Sequence, residues 1–237
     1  MQARKTLIVG VAALLATSTA FGSNDVKDNA KLLNKATTVL SEIRNAPDKN
    51  IPDSVWNKAE CVVVIPGMKK AGFIIGGEYG EGVLSCRRGN AWGAPVFMQL
   101  AKGSAGLQAG IQSTDLVLLV MNRAGVQKLL SNKVTLGGDA SIAAGPVGRT
   151  ASAGTDVQMT AEMLSYSRSK GLFAGIDLSG GTLKPDTDAN AAMYGATANA
   201  RDIALGTMPV TMTAEGRAFT NALNQGVRAT TGVKPRY

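Results

Sequence analysis

The residues able to do chemistry in this 237-residue chain are few, and their types are restrictive. Histidine is absent, which removes Ser-His-Asp and Cys-His arrangements together with any imidazole base. What remains for proton transfer is a carboxylate pair, with Asp115, Asp139, Asp156, Glu162 and Asp177 as candidates. Acids of this kind more often cap turns or pair with arginines, here Arg149 or Arg168. No Gly-Lys dipeptide occurs, so a Walker A loop is absent. The glycines never fall as G-x-G-x-x-G between a strand and a helix, so a dinucleotide fold is not indicated. Two cysteines without histidine cannot complete a zinc shell unless carboxylates join them. The expectation is a non-enzyme with no cofactor and no metal.

Binding chemistry is better supplied. Lys69 and Lys70 follow Pro66-Gly67, Arg149 follows a Gly-Pro turn, and Arg168 and Lys170 precede Gly171. Basic residues are therefore expected at the rims of loops and hairpins. Lys27, Lys31 and Lys35 repeat at i, i+4 and i+8, making a line along one side of a helix. Formal net charge is +8, from 25 basic and 17 acidic residues. On charge alone the chain reads as a soluble basic protein, with anionic partners favoured. Nucleic acid is not expected, because the cations are scattered and few aromatics accompany them for base stacking.

Residues 1–22 have the layout of a secretory signal peptide: Arg4 and Lys5, an apolar run from Leu7 to Ala16, then small residues through Ala20-Phe21-Gly22. The apolar run is shorter than the roughly 20 residues a membrane span needs. Cleavage is expected after Ala20 or Gly22, with residues 23–237 forming one domain. It removes Arg4 and Lys5 and no acid, so the charge becomes 8 − 2 = +6. An exported chain with two cysteines suggests one disulfide, Cys61 with Cys86, the alternative being two separately buried thiols.

These groups must be positioned by a glycine-rich framework. Asn24 to Arg44 reads as an amphipathic helix, with Leu32, Leu33, Ala36, Val39, Leu40 and Ile43 on one stripe. A short helix is expected near Asp53 to Lys58. Strands follow near 61–65, 71–78, 82–88, 95–102, 105–112 and 115–121, punctuated by glycines. Leu116 to Met121 is apolar without alternation, as in a central strand buried on both faces. Residues 122–131 read as a short helix, then strands resume near 133–138, 141–146, 157–168 and 172–183. Pro185 is a candidate first helical position, with Gly195 as terminator. Thr213 can cap a last helix carrying Ala218, Phe219, Ala222, Leu223 and Val227 on one side. The fold class is α+β: a glycine-rich antiparallel barrel or sandwich with helices at both chain ends.

Four stretches, KKAGFIIGGEYGEGVLSCR, STDLVLLVMN, TLGGDASIAAGPVGR and YSRSKGLFAGIDLSGGTL, together resemble the SYLF-domain family. The resemblance covers roughly Asn24 to Gly195. It implies lipid binding, as in secreted bacterial members and in eukaryotic relatives that bind phosphoinositides or regulate actin. The implied partner is anionic lipid at a periplasmic or outer-membrane surface, met by Lys69, Lys70, Arg149, Arg168 and Lys170 or by Lys27, Lys31 and Lys35. A protein-interaction or structural envelope module is the other implied role.

Overall fold

The computed structural model describes residues 21–44, 51–72, 75–105, 112–147, 160–169 and 172–228. Arg149, Asp156, Lys170 and residues 1–20 of the expected signal peptide lie outside them; Phe21 and Gly22 begin the first helix. In chain order the elements are α1 (Phe21–Arg44), α2 (Asp53–Trp56), β1 (Cys61–Gly72), β2 (Ile75–Arg88), β3 (Ala91–Trp92), β4 (Val96–Ala105) and β5 (Gln112–Val120). There follow α3 (Arg123–Leu129), β6 (Val134–Thr135), β7 (Ile142–Ala144), β8 (Met163–Ser169), β9 (Leu172–Gly175) and β10 (Thr182–Pro185). The chain ends in α4 (Thr187–Tyr194), α5 (Ala200–Leu205) and α6 (Ala214–Arg228).

The ten strands form one sheet in the order β6-β10-β4-β2-β1-β5-β8-β7, with β3 beside β2 and β9 beside β8. Sequence and topology together require this sheet to curl. Strands β6 and β7 are its two edges, yet Thr135 and Ile142 are seven residues apart and so span at most about 25 Å. Eight strands laid flat at about 4.8 Å spacing would put those edges about 34 Å apart. The sheet therefore bends into a half-barrel, and the segment from Leu136 to Ser141 crosses its opening. The α+β class, the barrel-like curl of the sheet and the terminal helices agree with expectation, the barrel being a half-barrel of one sheet. Strand β7 is also parallel to β8, pairing Ile142 with Met163, so the sheet is mixed rather than wholly antiparallel.

Period-2 alternation sorts the side chains into two cores. Cys61, Val63 and Ile65 of β1, Leu84 of β2, Met98 and Leu100 of β4 and Leu116, Leu118 and Val120 of β5 fill the concave face. Leu129 of α3 and Ile203 of α5 close that core from the open side. Val62, Val64, Val83, Phe97, Val117, Leu119 and Tyr166 fill the convex face, under Leu33, Ala36, Val39, Leu40 and Ile43 of α1 and Phe219 and Leu223 of α6. Strand β5 is thus buried on both faces, as its unbroken apolar run predicts. Gly80 and Gly82 make room at the β1 bulge: a Cβ there would sit 2.5 Å and 2.6 Å from Ile65.

Three local readings are corrected. Pro185 is the last residue of β10, and Asp186 is the N-cap of α4, accepting from the Ala189 amide at 3.0 Å. The proline ring is tolerated at a strand end, where its missing N–H costs no ladder bond. The expected strand over 172–183 is two strands, broken by a turn in which Gly180 takes φ 81°. On α6, Phe219 and Leu223 are buried, but Ala218 faces solvent. Helix α5 is unanticipated; Asn199 caps it through the Arg201 and Asp202 amides, and Gly206 ends it at φ 75°.

Candidate anionic-surface site

Helix α1 exists because its apolar stripe has a sheet to cover. Leu33, Val39, Leu40 and Ile43 are at most 4% exposed, and at about 1.5–3 kcal/mol each they contribute on the order of 6–12 kcal/mol of burial. The opposite side carries the cations: Lys27, Lys31 and Lys35 are all exposed. Lys31 donates to Asp28 at 2.8 Å, and this contact holds the Asp28 carboxyl below the ordinary carboxylate range. The pair is fully exposed and adds little to stability. Asn29, buried at the same end of the helix, donates to the Ala189 carbonyl at 3.1 Å and ties α1 to α4.

Lys69 and Lys70 are not in a loop. They lie within β1 after its bulge, paired in register with Tyr79 and Glu78 of β2. Met68 belongs to the concave core, so alternation puts Lys70 on the concave face and Lys69 on the convex one. Lys70 Nζ stands 3.4 Å from Glu78 Oε1. The two adjacent lysines therefore point to opposite sides of the sheet and cannot act on one surface.

Arg168 lies on β8, opposite Asp115 of β5. Its guanidinium bonds Glu42 of α1 and stands 3.5 Å from Asp115. Asp115 in turn accepts from the Gly67 amide at 2.8 Å, which fixes the β1 bulge. Arg168 is thus a clasp between helix and sheet, its charge balanced by two carboxylates. Glu42, which completes that clasp, was invisible in the sequence because it is 126 residues away. Of the eight expected contact cations, Lys27, Lys35 and Lys69 have no ion pair among the described residues.

The candidate acids among the described residues are each held by hydrogen-bond donors. Asp139 accepts from the Thr135 amide at 2.7 Å, and Asp177 from the Ser179 amide at 2.8 Å. Glu162 takes Lys128 Nζ at 2.7 Å and the Ser141 amide at 2.8 Å. Those donors hold Asp139, Glu162 and Asp177 below their ordinary values. Among the described residues, no three His, Cys, Asp or Glu side chains could hold a metal. No described helix is long and apolar enough to cross a membrane.

Cys61 and Cys86 face each other across β1 and β2 and are bridged, with S–S 2.06 Å.

Residues 101–225 match the family model described as "Ysc84: Las17-binding protein actin regulator". The chain belongs to the SYLF (Ysc84) family. It is 36% identical over 168 residues to the SH3 domain-containing YSC84-like protein 1 of Xenopus laevis, covering 70% of this chain and 49% of the relative. The human protein of that name is 32% identical, covering 78% of this chain and 54% of its own. LAS seventeen-binding protein 3 of Saccharomyces cerevisiae is 32% identical over 86% of this chain and 46% of its own. The chain thus spans about half the length of the curated relatives it matches.

Proposed function

We propose that this SYLF chain is a non-catalytic module that adheres to anionic phospholipid at a membrane surface, on the exported side of the cell, through the lysine line of α1. The carrying observation is that the helix spends its apolar stripe on the sheet and leaves Lys27, Lys31 and Lys35 in solvent. Insertion of that stripe into a bilayer would uncover Val62, Val64, Val83, Phe97, Val117 and Leu119 beneath it. The helix would regain its burial in lipid, but the sheet would lose its own. Contact is therefore electrostatic, with α1 still docked. Each lysine near an anionic surface is worth about 1 kcal/mol, so three give weak adhesion. The acids support a non-catalytic reading, since a general acid needs a raised pKa and the shifted ones are lowered. The bridged cysteines and the leader-like residues 1–22 support export into an oxidising compartment.

The test is co-sedimentation with vesicles. Binding to phosphatidylglycerol-containing vesicles should exceed binding to pure phosphatidylcholine and fade as salt shortens the roughly 8–10 Å screening length. Equal binding to both lipids, or none to either, rejects the proposal. A second reading, a protein-binding module, is favoured by the family description, which names a Las17-binding actin regulator. It takes over if vesicles fail, and a pull-down by an acidic polypeptide surface would then be sought.

A further inference from the structure

At the end of the half-barrel away from the β1–β2 turn, a cavity of about 270 Å³ opens between β1, β2, α3 and α5. The Cys61–Cys86 bridge forms part of its wall, with Val126 and Leu205 adding apolar surface. Two exposed arginines from different helices, Arg123 of α3 and Arg201 of α5, also line it. Neither takes part in an ion pair among the described residues. A third, Arg87, is already occupied: its Nε donates to the Ala59 carbonyl at 2.8 Å, its Nη2 to the Trp56 carbonyl at 3.3 Å, and it lies 4.4 Å from the Trp92 ring centre. Glu60 is the one acid on the wall.

Arg201 also lines a second cleft of about 600 Å³, where Asn132 and Thr187 offer polar groups. The helix ends are not the attraction here. Asn122 and Asn199 cap α3 and α5, taking the Gly125 amide and the Arg201 and Asp202 amides.

We propose that Arg123 and Arg201 form a binding site for a phosphate group, separate from the lysines of α1. One guanidinium fork engages both oxygens of a carboxylate, whereas a phosphate presents three or more oxygens and up to two negative charges, enough for a separate oxygen pair or edge to face each of two forks. Two forks from different helices, both lining one small cavity, suit the latter. The body of a phosphate ester would extend past Arg201 into the larger cleft, where its hydroxyls meet Asn132 and Thr187. The source of the group is a soluble phosphate ester or a phosphate-bearing lipid headgroup.

The probe is inorganic phosphate, titrated by calorimetry against the folded chain at constant ionic strength made up with sodium chloride. Saturable binding is expected, weakened about tenfold or more in R123A/R201A, since hydrogen bonds to charged groups are lost. R123K/R201K, which keeps the charge but loses the forks, should weaken it too. Both residues are exposed, and melting in phosphate-free buffer checks that the variants fold. K27E/K31E/K35E should bind phosphate as the parent does, so a failure of the membrane reading leaves this result untouched. In a second arm, phosphate is added to protein on phosphatidic acid vesicles. Displacement that depends on Arg123 and Arg201 marks the headgroup as the source; saturation without displacement marks a soluble ester, and either supports the site. Unsaturable heat matching chloride, or phosphate affinity unchanged in R123A/R201A, overturns it.

Discussion

Reduction of the Cys61–Cys86 bridge should lower stability without unfolding the chain. The cysteines are 25 residues apart, and freeing a loop of that length restores about 3.5 kcal/mol of denatured-state entropy. Packing changes little, because both side chains are at most 4% exposed and the thiols stay between the same neighbours. The strands also remain joined by the register from Cys61–Cys86 through Val64–Val83. For a chain of this size each kcal/mol moves the melting temperature by about 2–4 °C, so the expected drop is about 7–14 °C. The assay is thermal melting by circular dichroism of oxidised protein and of protein unfolded, reduced and refolded with reductant. Alkylation and mass measurement count the free thiols in each. A fully reduced sample melting with the oxidised one, or two alkylatable thiols before reduction, would refute the reasoning.

Glu162 joins α3 to β7 and β8 through Lys128 and Ser141. Its folded pKa lies below the ordinary 4.5, so its stabilisation is complete above that value and is lost as pH falls through the lower folded one. E162Q should cost about 1–2 kcal/mol at neutral pH, discounted because Lys128 is half-exposed, and should flatten the acid limb of stability. An unchanged acid limb in urea titrations would sink this assignment. At Gly145 a Cβ would lie 2.0 Å from Cζ of the buried Tyr166 ring, so G145A should lose about 1–3 kcal/mol by overpacking. A neutral result would mean that the ring does not lie across Gly145. R168A should destabilise more than E42A, since it leaves both Glu42 and Asp115 without their cation; equal losses in urea midpoints would contradict the clasp.

Much of the fold is legible where a single physical signal dominates. The α1 stripe, the doubly buried β5 run and the Thr213 cap each rest on local periodicity or chemistry, and each has a counterpart in the structure: Thr213 Oγ1 accepts from the Gly216 amide at 3.2 Å. Helix α5 was also signalled, by Asn199 at its start and Gly206 after its end, but six residues are too few to show a periodicity. Pro185 illustrates the opposite failure, a rule for helix starts applied where a strand end wins. The site was less legible than the fold. Lys69 and Lys70 look like one patch in sequence, yet a strand sends neighbours to opposite faces. Arg168 looks like a free rim cation until the topology brings Glu42 and Asp115 to it. Arg123 and Arg201 sit 78 positions apart, and only the curl of the sheet closes α3 and α5 over the same disulfide.

The measurement that meets the central claim most directly is vesicle co-sedimentation of two charge-reversal variants beside the parent chain. K27E/K31E/K35E changes the solvent side of α1 and leaves its buried stripe intact; K69E/K70E divides its changes between the two faces of the sheet. On phosphatidylglycerol vesicles at low salt, the helix variant should lose nearly all binding, because three attractions of about 1 kcal/mol each become repulsions. The strand variant should retain most of it. Full binding by K27E/K31E/K35E, in a chain whose melting curve matches the parent, would contradict the assignment of α1 as the membrane-facing element.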